Sequence, residues 1–167
     1  KAVVNAYENN GETGFATAKE KIIQKLEPDY GEYNAEVDEK LFTVLMEMYI
    51  KDQQEEFTSP YFKDLLKQHN DNFEKTAATV YSNSKIYCLK DLQTLLTGNA
   101  KEVIAAIKKD MGYQLAMDIQ QTYASKVSPA LNNIQSNINQ LQRLYMQAQM
   151  DVFTQKKFYP DANSTLR

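Results

Sequence analysis

One segment limits the possible folds more than any other. After Ser128-Pro129, the side chains Leu131, Ile134, Ile138, Leu141, Tyr145, Ala148 and Val152 recur at alternating steps of three and four residues, and no glycine or proline falls between Ala130 and Phe158. A period of 3.5 residues lines one side of an α-helix and winds paired helices around each other. A β-strand, with its period of two, cannot gather these residues on one face. At about 1.5 Å per residue such a helix extends roughly 35–40 Å. It is either the central post of a bundle or a coiled-coil arm, with the Asn/Gln-rich residues from Asn132 to Gln149 as its solvated face. As a bundle post it buries Ile138, so Ile138→Asp is expected to be severe, placing an unpaired charge in the seam.

The remainder reads as helices too. Five glycines and four prolines fall between apolar-periodic segments rather than inside them, the placement of punctuation between helices. Phe15, Ala18, Ile22, Ile23 and Leu26 define a first helix from Gly14 to Leu26, broken by Pro28 and Gly31. Val37, Leu41, Val44, Leu45, Met48 and Tyr49 define a second from Asn34 to about Gln53, with Asn34 as its N-cap. Ser59-Pro60 opens a third that ends near His69. Asp71 caps a fourth carrying Phe73, Ala77, Val80 and Tyr81, which stops at the polar turn Ser82-Asn83-Ser84. Leu89 to Leu96 form a fifth, closed at Gly98 as a left-handed cap. Asn99, with Glu102 three residues on, opens a sixth that reaches Lys109. Asp110-Met111-Gly112 interrupts before Leu115, Ile119, Thr122 and Val127 define a seventh. The fold class is therefore all-α, an antiparallel helical bundle with one long C-terminal heptad-patterned helix.

Composition removes whole classes of function. The 167 residues (19.2 kDa) suit one domain, or at most a domain plus an arm. Nineteen Lys+Arg against twenty-two Asp+Glu, a pI near 5.3, provide no basic field for a nucleic-acid backbone. The longest apolar run is Val103-Ile104-Ala105-Ala106-Ile107, far short of the roughly 20 residues that span a membrane. The chain starts at Lys1 with no leader pattern, so it is expected to be a piece of something longer.

Cys88 and His69 are the only residues of their kinds, which excludes intramolecular disulfides and Cys/His zinc clusters. His69 falls at a helix end, where imidazole sits against the exposed carbonyls. Cys88 lies in the apolar run Ile86-Tyr87-Cys88-Leu89 and is expected to be a buried, inert thiol. Glu36, Asp38, Glu39, Glu47, Asp52, Glu55 and Glu56 cluster around the second helix, but a di-metal site of helix carboxylates needs Glu-x-x-His motifs, and these are absent. They read as a solvated acidic face. Most of the eleven tyrosines fall at core-facing positions. Asn163-Ser164-Thr165 fits a glycosylation sequon, a pattern too short to carry weight alone. No catalytic, cofactor-binding or metal-binding residue is assigned.

The string Phe158-Tyr159-Pro160-Asp161-Ala162-Asn163-Ser164-Thr165-Leu166-Arg167 closely resembles one in bacterial serine exopeptidases of the dipeptidyl-peptidase types seven and eleven. There it leads out of a helical domain into a chymotrypsin-like double barrel. Arg143-Leu144-Tyr145-Met146 and Lys156-Lys157 resemble that family's last long helix, and the segment from Glu32 to Phe42 running into Leu45 to Tyr49 is similar to an internal one. Asp110 to Ala116 resembles a further family segment, with Met111 standing where proline is usual.

The resemblance implies that residues 1–158 are a helical lid domain of a larger peptidase and that residues 159–167 connect back toward the second barrel. The parent would release dipeptides from peptide N-termini in the periplasm or at the cell surface, without a cofactor, and could be a homodimer. Its partners would be the double barrel of the same chain and peptide substrates, with no nucleic acid or membrane. In the family the triad's histidine and aspartate precede the helical insertion and the serine follows the tail. None of them maps onto this chain, Ser164 included. Hinges are expected near Pro160 and near Asn9-Asn10-Gly11. The rival reading is a non-enzymatic coiled-coil adaptor that pairs through the seam; a carboxylate-bridged metalloprotein ranks third.

Overall fold

The helix that the sequence breakers confine to residues 14–26 is more than twice as long in the structure. In the computed structural model, which describes residues 1–158 apart from the side chains of Glu27 and Asp29, α1 runs Ala2–Tyr30 and kinks at Gly11 (φ 59°, ψ −144°). That backbone region is essentially reserved for glycine, so the break expected at Asn9-Asn10-Gly11 is real but local. Residues before the kink are helical and place Val3 and Val4 in the core. Pro28 lies inside the last turns, and the helix ends only at Gly31.

The remaining helices are α2 (Ala35–Asp52), α3 (Pro60–Gln68), α4 (Phe73–Ser82), α5 (Leu89–Leu96), α6 (Ala100–Lys109), α7 (Met111–Thr122) and α8 (Ser128–Val152). A 3-10 turn covers Glu55–Phe57, a π turn covers Tyr123–Val127, and there is no strand among the described residues. The all-α class read from the sequence holds.

Side-chain caps explain most starts. Asn34 Oδ1 accepts the Glu36 and Val37 N–H groups at 3.0 and 3.2 Å, Ser59 Oγ accepts Phe62 N–H at 3.1 Å, and Asn99 Oδ1 accepts Glu102 N–H at 2.9 Å. Three expectations shift. Asn72, not Asp71, caps α4, because Asn70 and Asp71 both take left-handed conformations in the preceding turn. Gly98 does not adopt positive φ, since Thr97 already closes α5 in right-handed geometry. Ser128 caps nothing, as the π turn runs into α8 without a loop, and α8 ends at Val152 rather than near Phe158.

The chain divides into two units, Lys1–Ala124 and Ser125–Arg167. In the first, Val3, Val4 and Phe15 of α1 meet Leu96 of α5 and Val103, Ile104 and Ile107 of α6 in one core. Met46, Phe62, Leu65, Val80 and Leu115 build a second from α2, α3, α4 and α7. The core face of α2 carries Phe42, Met46, Tyr49 and Ile50. Val37, Leu41, Val44, Leu45 and Met48, which the periodicity assigned to the buried side, are instead 52–59% exposed.

In the second unit the seam of α8 is likewise uncovered: Ile138 is 41% exposed and Leu141 64%. A heptad repeat specifies a helix with one apolar side but not which neighbour covers it. Within its own unit Ile138 is therefore not a core residue, contrary to the bundle-post expectation.

Candidate functional site

Three carboxylates with hydroxyl and N–H partners organise the polar interior of the first unit. Asp110, 7% exposed, caps α7 through Tyr113 N–H at 3.1 Å. It also accepts Ser84 Oγ and Lys85 N–H, both at 2.7 Å. The segment read from sequence as an interruption is thus a buried junction between α6 and α7. Gly112 belongs to the same packing, because a Cβ there would lie 2.8 Å from Ser84 Oγ and 2.9 Å from the Tyr87 ring.

Asp118 accepts the Ser59 hydroxyl and Tyr61 N–H (3.2 Å), while Tyr49 Oη accepts Ser59 N–H at 2.9 Å and donates to the Phe57 carbonyl at 3.0 Å. Ser59 is wholly buried, and no histidine is among its hydrogen-bond partners. The pair fixes the start of α3 and offers no accessible nucleophile. Burial raises the Tyr49 phenol above its ordinary range.

Asp38 on α2 accepts Tyr33 Oη at 3.0 Å and Tyr81 Oη at 2.5 Å. Tyr81 stacks on Tyr87 with centroids 4.2 Å apart, Tyr30 meets Tyr33 edge-on at 5.3 Å, and Tyr30 Oη donates to the Ile86 carbonyl. Burial first, then the hydrogen bond to Asp38, pushes both the Tyr33 and Tyr81 phenols up. Sequence reading placed Asp38 on a solvated acidic face; its tyrosine partners, 5 and 43 residues away, make it a packing anchor. Of the other acids there, Glu47 pairs with Lys51 and Glu55 with Lys63.

His69 is the C-cap of α3, as its position implied, its N–H bonded to the Leu66 carbonyl at 3.1 Å. Cys88 is exposed rather than buried, because it stands at the N-cap of α5, where the chain turns outward. It lies on the wall of a shallow pocket with Glu39, Tyr81, Ser84, Tyr87 and Asp91. The tyrosine reading holds in part: Tyr7, Tyr30 and Tyr113 pack on one core and Tyr49, Tyr61 and Tyr87 on the other, whereas Tyr123 and Tyr145 are exposed. An open groove of about 740 Å³ follows α1, lined by Ala2, Ala6, Gly14, Thr17, Ala18 and Ile22. It carries no acid–base pair. The connector, Ser164, the sequon and the hinge at Pro160 lie outside the described residues.

Asp38, Asp110 and Asp118, with their hydroxyl and N–H partners, are thus committed to holding helices. Large apolar side chains stand exposed on α2 and α8. The model of the Peptidase S46 family matches residues 4–167. The chain belongs to the peptidase S46 family. The S46 chain is 34% identical over 157 residues to an Asp/Glu-specific dipeptidyl-peptidase of Flavobacterium psychrophilum, covering 94% of this chain and 21% of the relative. A protein of the same name from Capnocytophaga gingivalis is 27% identical over 165 residues, covering 97% and 22%. The resemblance read from the tail and the internal helices is borne out, and the S46 chain spans about a fifth of the length of these relatives. No helix among its described residues is long and apolar enough to cross a membrane.

Proposed function

We propose that residues 1–158 are the helical domain that roofs the cleft of a serine dipeptidyl-peptidase and limits entry to peptides with a free N-terminus. The observation that carries this reading is a family match over residues 4–167 of a chain that is helical and spans a fifth of its relatives. The nucleophilic serine, its histidine base and the oxyanion hole are supplied by the barrels of the parent. The domain covers them, excludes folded proteins and long chains, and closes on substrate through its connections. The relatives' names support an Asp/Glu-specific release of dipeptides. A periplasmic or cell-surface location follows from the family resemblance.

Hydrogen exchange of the full-length parent, with and without a bound peptide that it does not turn over, tests the lid. Slower exchange at residues 9–11 and 159–167 on binding is the expected result. Unchanged protection at both junctions rules out closure about them. A chain of residues 1–167 assayed alone should release no dipeptide.

A further inference from the structure

We propose that the apolar side of α8 is a docking surface for an amphipathic helix contributed by the parent polypeptide from outside residues 1–167. The inference rests on the reading of the chain as one part of a longer S46 protein. Leu131, Ile134, Ile138, Leu141, Tyr145 and Val152 are between 41% and 72% exposed and form one continuous stripe. At about 1.5 Å per residue the stripe runs roughly 30 Å, and soluble proteins leave contiguous apolar patches of that size uncovered mainly where something binds.

Its chemistry selects the occupant. The 3.5-residue period fits the side chains of another helix lying nearly alongside. The positions flanking the stripe are mostly neutral, Gln135, Asn137, Gln142 and Gln149. They lack the alternating charges with which coiled coils choose partner, register and orientation in free solution. A face without such a code is best served by a partner whose identity is set by covalent connection, which supplies an effective concentration in the millimolar range. A second copy has no such advantage at ordinary protein concentrations. The relatives match this chain over only 21% and 22% of their length, so about four fifths of a parent of that size is available to provide the helix.

The test is thiol labelling of the purified full-length parent, read peptide by peptide by mass spectrometry. Ile138→Cys and Leu141→Cys report on the stripe, each a mild change at a half-exposed position, and Ser136→Cys reports on the opposite side of α8. In the monomeric parent the two stripe positions should react at least tenfold more slowly with a maleimide than position 136, and the difference should vanish in urea. Equal rates overturn the proposal. Slow labelling that appears only as the parent dimerises assigns the face to a second copy and also overturns it. A benzophenone attached at position 141 should capture a segment outside residues 1–167 of the same polypeptide; capture within 1–167 counts against it. Neither readout uses dipeptide release or junction exchange, so the lid reading and the docking reading can fail separately.

Discussion

The Ser84 hydroxyl donates to the Asp110 carboxylate at 2.7 Å, with both groups buried and 26 residues apart in sequence. The same carboxylate holds Lys85 N–H and caps α7, so one side chain ties the loop after α4 to the junction of the two cores. Asp110→Ala removes a helix cap and leaves a hydroxyl and an amide without an acceptor, at a cost of about 2–4 kcal/mol. Asp110→Asn keeps one carbonyl oxygen and should cost less. Urea denaturation of both variants checks the order, and equal midpoints for Asp110→Ala and the parent sequence would mean that water replaces the carboxylate.

Two glycines of α1 should respond differently to the same substitution. At Gly14 a Cβ would lie 2.2 Å from the Ala6 carbonyl oxygen and 2.7 Å from the Asn10 Cβ, so the arms of the kinked helix must separate to admit it. At Gly11 nothing lies within 4 Å, and alanine meets only backbone strain, about 1–3 kcal/mol. Gly14→Ala should therefore lower the melting temperature more than Gly11→Ala and should also weaken the edge-on contact of Tyr7 with Phe15, now at 6.4 Å. A reversed order of melting temperatures would show that the arms give way easily.

Much of this arrangement was legible in the sequence because helix boundaries are local. Asn34, Ser59 and Asn99 cap the residues whose N–H groups lie two or three positions ahead, a relation that spacing alone reveals. Burial was less legible. Val37, Leu41 and Met48 repeat as cleanly as any core stripe, yet Phe42 and Met46 face the core of this unit, and no local pattern says which of two apolar sides finds a neighbour. Asp38 was misread for a related reason: its partner Tyr81 is 43 residues away. Cys88 looked buried from its apolar neighbours, but one turn of backbone at the start of α5 exposed it.

The Asp38 cluster makes stability sensitive to alkali. Burial and the bond to Asp38 raise the Tyr33 and Tyr81 phenols above their ordinary value of 10.0, whereas in the unfolded chain they ionise near that value. Unfolding above about pH 10 then releases protons that the folded state retains. The contribution is fully present below pH 10 and is lost as pH climbs beyond it. Denaturation midpoints should fall from pH 10 upward. Combining Tyr33→Phe with Tyr81→Phe should lower the midpoint at pH 8, since Asp38 loses both donors, yet flatten the decline between pH 9 and 11. An unchanged slope in the double variant would place the alkaline sensitivity elsewhere.

Phe62 is buried within the first unit, and Ile138 is left open within the second. Phe62 is 1% exposed between Phe42 and Phe73, with ring centroids at 6.1 and 6.3 Å, and Phe62→Ala should cost about 3–5 kcal/mol. Ile138 is 41% exposed, so in the 167-residue chain Ile138→Asp should stay within about 0.5 kcal/mol of the unsubstituted protein. In the full-length parent the docking proposal reverses this expectation, because a helix on the stripe would desolvate the new carboxylate with no partner for it. Melting the two substitutions in both contexts gives four numbers, and the sharp outcome is an Ile138→Asp penalty that is small in the short chain and large in the parent. A penalty that is large in the short chain would mean that residues 1–167 bury the seam themselves, as the heptad pattern first suggested, and a small one in both would leave the stripe of α8 without a partner.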